Sequence, residues 1–248
     1  MNAELKTGFL EKWKKYFGNS PLPLVFFYSD DTGNAELIRE PSGHRCFIAD
    51  LARVRKGISI AFDANSVSCN GGKRYLGFSD AIMPHFEYFL SCGIPGELEG
   101  ERYIRTPEQV KTLMNGMTRI PAEKRYIIFR RWDHIEPEDE PQVVFFFAGA
   151  DVMSGLFTLT NYDHEHGDGV IAPFGSGCAS IVYHPLSENR KDHPKAVIGM
   201  FDVSARICVP EDMLTFAIPM RRFEAMVADM DESFLITGSW KKVMKRLP

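Results

Sequence analysis

Two short strings place a cysteine where chemistry could use it: Gly43-His44-Arg45-Cys46 and Gly175-Ser176-Gly177-Cys178. Each is followed at once by residues of helical pattern. A thiol in the first turn of a helix feels the positive end of the helix dipole. That favours thiolate and lowers the thiol pKa below its usual value of about 8.5. Glycine ahead of the thiol lets the backbone approach a ligand closely. Such a thiolate can hold a metal ion or an iron–sulfur cluster, or attack an electrophile. With Cys69 they give a candidate metal-ligand set of Cys46, Cys69 and Cys178. Taken singly, each cysteine also suits a small buried hydrophobe, and Ser42 and Ser176 suit plain helix caps.

The chain has 248 residues and 5 cysteines: the three named, Cys92 and Cys208. The odd count and the absence of a C-x-x-C pair argue against a disulfide framework and a zinc knuckle. A second group of residues could bind an anion. Gly71-Gly72-Lys73-Arg74 offers backbone amides and cations, without the spacing of a phosphate-binding P-loop. Arg53 and Arg206 lie near the cysteine strings and could neutralise a ligand's charge, with surface ion pairs as the plainer use. Gly43, Gly71, Gly72, Gly175 and Gly177, together with Lys73, Arg53, Arg206 and Asp202, are the candidate ligand-binding residues. The run 162–168 carries His164-x-His166, but its turn formers make it a solvated loop.

The cysteines fall into a repeated order. After the first string, a strand ends in Phe62-Asp63, with Cys69 beyond it. After the second, a strand ends in Phe201-Asp202, with Cys208 beyond it at the same spacing. Val25-Phe26-Phe27 upstream matches Val144-Phe145-Phe146. Downstream, Ala81-Ile82-Met83-Pro84 leads to Phe86-Glu87, and Ala217-Ile218-Pro219 leads to Phe223-Glu224. The order predicts an internal duplication with half-repeats over 1–120 and 121–248. The second half needs a loop insertion, for which 187–194 is the natural place. Equivalent residues would meet at the seam between halves, a common place for a pocket.

The elements that must position these residues follow from pattern. Strands are expected at 24–28, 58–62, 126–132, 143–147, 170–172, 197–201 and 214–218. Helices are expected at 1–17, 43–56, 82–90, 150–162, from 177, 221–230 and 240–247, with a loop at 68–72 and an exposed one at 134–141. Thr106-Pro107-Glu108 is a helix start: a cap, a proline at the first position, then an acid. Strands and helices mix without strict alternation, so the expected fold class is α+β, a mixed β-sheet with flanking helices. The net charge of -4 gives no basic face for nucleic acid. No apolar run is long enough to span a membrane, and the amphipathic start does not read as a signal peptide, so a cytoplasmic location is expected.

These residues together resemble the uncharacterised ArCR family, a domain-of-unknown-function family of archaea and bacteria. The resemblance is carried by Pro23 to Phe27, by Arg45-Cys46 with Ala49 and Ala52-Arg53, and by Cys69 followed by Leu76-Gly77-Phe78. In the second half it is carried by Gly175 to Cys178, by Gly199, Asp202 and Arg206, and by the stretch 212–219. It implies cysteines in fixed places and no established activity. It also implies a cysteine in the Gly-Asp-Arg region, where this chain has Met200 and Phe201, with Cys208 beyond. That departure speaks against a four-cysteine cluster. The expected function is binding of a small anionic ligand, a metal or an iron–sulfur cofactor between the halves. A cysteine-nucleophile enzyme on a small anionic substrate and a protein-interaction module are the alternatives.

Overall fold

The computed structural model describes residues 3–40, 42, 43 and 45–248. His44 of the first cysteine string, Pro41, and Met1 and Asn2 of the first expected helix lie outside the described residues. The strands are β1 (Leu24–Ser29), β2 (Glu36–Leu37), β3 (Ile60–Phe62), β4 (Tyr126–Arg131), β5 (Val143–Ala148), β6 (Val170–Ile171), β7 (Ala196–Gly199) and β8 (Leu214–Pro219). The helices are α1 (Ala3–Phe17), α2 (Leu51–Arg55), α3 (Asn70–Tyr75), α4 (Phe86–Phe89), α5 (Pro107–Asn115), α6 (Ala150–Thr160), α7 (His184–Asn189), α8 (Met220–Asp229) and α9 (Gly238–Met244). The protein is α+β, as expected.

The strands form one mixed sheet in the order β2-β3-β4-β1-β5-β8-β7-β6. At its centre β1 and β5 run antiparallel, with Val25 opposite Val144. Outward from that pair, each side has two further antiparallel pairings and then a parallel edge strand. β4 lies beyond residue 121 in the chain, yet it sits between β3 and β1.

Both faces of the sheet are covered, which is why the central strands are apolar throughout. Side chains alternate between faces. Leu24, Phe26, Phe145 and Phe147 join one core with Phe47, Leu51 and Val54 and with Ala179, Val182 and Leu186. Val25, Val144 and Phe146 join the other, with Phe9, Trp13 and Phe17 of α1, Leu156 and Leu159 of α6, Phe223 of α8 and Trp240 of α9. Each such side chain stabilises the fold by roughly 1.5–3 kcal/mol through burial.

The departures from expectation have local causes. The helix expected at 43–56 starts only at Phe47, as a 3-10 turn (Phe47–Asp50) that runs into α2. The helix expected at 82–90 shrinks to α4, because Pro84 disfavours helix in the residue before it and His85 is left-handed at φ 59. Residues 70–72 open α3 instead of a loop. Ala81 to Pro84 are irregular, whereas Ala217 to Pro219 lie in β8, so that pair of strings does not correspond. The start at Thr106 is a full capping box with Gln109.

The acidic stretch 134–141 is not wholly exposed. Asp139 is 4% exposed and meets Arg130 of β4, itself 2% exposed, at 3.1 Å. Asp139 also accepts the Glu136 N–H at 2.7 Å. Arg130 also pairs with Glu136 at 3.3 Å, so removing Asp139 leaves the buried guanidinium with one carboxylate instead of two. Asp139→Ala is expected to cost about 3 kcal/mol, read as a lowered urea midpoint at unchanged slope.

Two close approaches bring the cysteine segments against the sheet. A Cβ on Gly72 would stand 2.8 Å from Val67 Cγ1, and a Cβ on Gly177 2.7 Å from Met200 Sδ and 3.3 Å from Ala205 Cβ. A larger residue at 177 would press on the Met200 side chain and on Ala205, in the loop after β7. Gly177→Ala is expected to destabilise by about 1–3 kcal/mol through overpacking, measurable as a fall in melting temperature.

Candidate functional site

Four thiols come together on the face covered by α2 and α7. Cys46 is the N-cap of the 3-10 turn at Phe47, and Cys69 is the N-cap of α3, where the Gly72 N–H donates to its Sγ at 3.5 Å. The segments before them are tied by the Arg45 N–H, which donates to Ser68 Oγ at 2.8 Å. Cys178 lies in the first turn of a helix that widens to a π-helix over Ala179–Tyr183 and continues as α7. Such π segments are frequent at functional sites. Ser176 Oγ receives the Ala179 N–H at 3.3 Å and stands 3.0 Å from Cys178 Sγ. Ser176 is therefore a helix cap and a thiol neighbour at once. Ser42 is not a cap, since Cys46 holds that position.

The second pair is tied like the first. Asp202 accepts the Gly177 N–H at 3.1 Å and fastens the loop after β7 to the start of the Cys178 helix. That loop returns Cys208, whose N–H donates to Ala205 O at 2.9 Å, and Ala205 packs at Gly177. The two pairs meet across the sheet's centre line: Tyr75 of α3 and Tyr183 of the π-helix stand 5.8 Å apart, centroid to centroid.

Burial pushes the Cys46 thiol up to about 12, and the neighbouring Cys208 and Cys69 push it further in the same direction, against the Ile48 N–H. Burial raises Cys178 too; Ser176 opposes this, and Cys69 and Cys46 add to it. The expected lowering by helix termini is thus reversed, because desolvation of the thiolate outweighs the dipoles of short helical turns. Cys46 and Cys178 are protonated thiols at neutral pH. Cys46, Cys69, Cys178 and Cys208 are all free, and Cys92 is exposed and apart from this core. Among the described residues, no group of three or more His, Cys, Asp or Glu side chains is drawn around one point as a metal ion requires.

The anion-binding candidates are largely engaged elsewhere. Arg53 is paired with Glu36. Arg206 donates to the carbonyls of Met213, Pro210 and Glu211 and closes the turn before β8. Asp202 is a fastener, as above. Gly43 is exposed with open space around it, whereas a Cβ on Gly175 would stand 3.4 Å from His184 Nε2. Gly71 and Gly72 open α3, and Lys73 follows them there, half-buried. One feature carries no sequence signal: Tyr75 against Cys178. An unusual Met200, buried at φ 67, sits under the Cys178 turn. The loop around Cys208 exposes Phe201, Val203 and Ile207, the last at 91%.

The run at 162–168 lines an open cleft of about 640 Å³, with His164, His166 and His193 on its walls. Arg222 is paired with Asp163 there, and Lys195 with Asp168. The run is turn and loop, as its composition predicts.

Among the described residues, no helix is long and apolar enough to cross a membrane. Neither the curated proteins nor the solved structures give a significant match. A family model with the description Uncharacterised ArCR matches residues 17–229, the stretch that carries the whole sheet and all five cysteines. The chain belongs to the uncharacterised ArCR family.

Proposed function

We propose that this chain is a cofactor-binding protein made of two diverged half-repeats, holding a metal or iron–sulfur centre at their seam through Cys46, Cys69 and Cys178. One observation carries the reading: thiols from both sides of the β1–β5 pair share a single apolar neighbourhood without any disulfide. Unmetallated thiols gain nothing from such crowding, whereas a bound cation would hold them as thiolates.

The duplication is supported by the strand order, which reads the same outward from β1 and from β5. Asp63 accepts the Asn65 N–H and the Ser66 hydroxyl, and Asp202 likewise accepts the Ser204 N–H and hydroxyl. Strand order favours a division between β4 and β5 over one at residue 120. Unpaired thiols suit a reducing compartment, so the cytoplasm is the proposed location. A small anion remains the alternative ligand, with Lys73 its nearest candidate cation.

The nucleophile reading is disfavoured by the raised thiols. Iodoacetamide labelling of Cys46 and Cys178 is expected to be slow at pH 7 and to rise about tenfold per pH unit through pH 10. Fast labelling of either at neutral pH would revive the enzyme. For the cofactor, anaerobic purification followed by iron, zinc and sulfide analysis is expected to find metal bound. Complete absence of metal from well-folded protein, before and after anaerobic reconstitution, would reject the centre.

A further inference from the structure

We infer that residues 78–121 form a hinged lid, latched by the ring of Tyr103 on Phe174, and that its opening gives access to the segment that carries Cys178. The lid does not depend on what the thiols bind.

The excursion leaves the body at Gly77 and returns at Ala122, whose N–H donates to Gly77 O at 3.0 Å. Gly77 has φ +80, and a Cβ there would stand 2.3 Å from Ala122 N, so the two sides of this neck touch. Arg119 pairs with Asp80 beside it. Beyond the neck the chain folds on itself. From Tyr88 to Ile104, the main-chain N–H groups that form hydrogen bonds donate to carbonyls within 85–98; Tyr103 and Ile104 both return to Leu90 O, at 3.0 and 3.1 Å. α4 packs on α5, with Glu87 and Lys111 paired at 3.3 Å. Val110 of α5 is buried, yet it belongs to neither core of the sheet. Between residues 79 and 109, Ser91 and Gly93 alone are buried. A unit that keeps its hydrogen bonds inside itself and buries little against its surroundings opens at low cost in free energy. A short neck with a left-handed glycine is a place for the hinge.

Away from the neck the lid meets the body at Tyr103. Its ring stands edge-on to Phe174, with 6.4 Å between centroids and 72° between planes. Arg102, just before it, is left-handed at φ 57, a conformation that persists where the surroundings hold it. Phe174 remains 54% exposed, so the latch is a wet aromatic pair and not a packed interface. Such a pair is strong enough to bias a lid and weak enough to release it. Phe174 precedes Ser176 and buried Cys178 on the same short stretch. At the far end of that stretch the Tyr183 hydroxyl donates to Thr118 O at 2.8 Å, close to the neck. Neck and latch therefore grip the two ends of 174–183. Releasing Tyr103 frees the end that leads to Cys178, while Tyr183 holds the hinge side in place.

The test is hydrogen–deuterium exchange of the full chain, read by mass spectrometry, with iodoacetamide labelling of Cys178 at one fixed pH as a second readout. Wild type is compared with Tyr103→Ala, Tyr103→Phe, Phe174→Ala and the control Tyr162→Ala, an exposed tyrosine outside the lid. Circular dichroism checks folding of each. Tyr103→Ala is expected to raise exchange across 174–183 and labelling of Cys178 together, by about three- to tenfold, the worth of one aromatic pair. Phe174→Ala removes the same pair from the body side and is expected to do the same. Exchange within 85–104 and in β1 and β5 is expected to stay at the wild-type rate, because the lid moves as a body. Tyr103→Phe keeps the ring and is expected to match wild type. Unchanged exchange across 174–183 in folded Tyr103→Ala and Phe174→Ala overturns the latch. Exchange within 85–104 that rises to the same extent shows local unfolding and overturns the lid. An equal rise in Tyr162→Ala marks general destabilisation and overturns it as well.

Discussion

The antiparallel pairing of β1 with β5, centred on Val25 opposite Val144, joins the two sides of the sheet through three residue pairs. Every other strand pairing lies wholly on one side. Side chains add contact across this line, with Phe26 near Phe145 on one face and Val25 with Val144 on the other. Because β1 and β5 run antiparallel about that midpoint, the turns that follow β3 and β7 come to the same face. The thiols meet because of this pairing, and not because any one segment brings them together.

Burial acts on the same residues in the opposite sense. The core that holds Cys46 and Cys178 also makes their thiolates costly. Short helical turns cannot offset that cost, since Cys46 caps only a four-residue 3-10 turn and Cys178 leads into a π segment. A positive group arriving from outside is the ordinary way to stabilise several buried thiolates at once.

The strands were legible because both faces of the sheet are covered, and 143–148 or 24–29 is apolar at nearly every position. The α5 start was legible because its cap is local. β2 was not, being two exposed residues that pair only because β3 lies beside them. The burial of Asp139 was hidden, because its partner Arg130 is a charge near the end of a mainly apolar strand. The repeat marks all four clustered cysteines, with Cys208 as the counterpart of Cys69, and two of them also follow glycines. The resemblance implies a cysteine within the Gly-Asp-Arg region, short of Cys208; the Asp202 turn and the Arg206 clamp carry the chain from there to Cys208.

The order of strands also bears on how the chain reaches this state. β1 is made early, but its neighbours β4 and β5 begin at Tyr126 and Val143. Until about half the chain exists, Leu24 to Tyr28 are an apolar strand with both hydrogen-bonding edges open. Contacts so distant in sequence make folding slow. A nascent chain of this topology therefore carries an uncovered apolar segment through the first half of its synthesis.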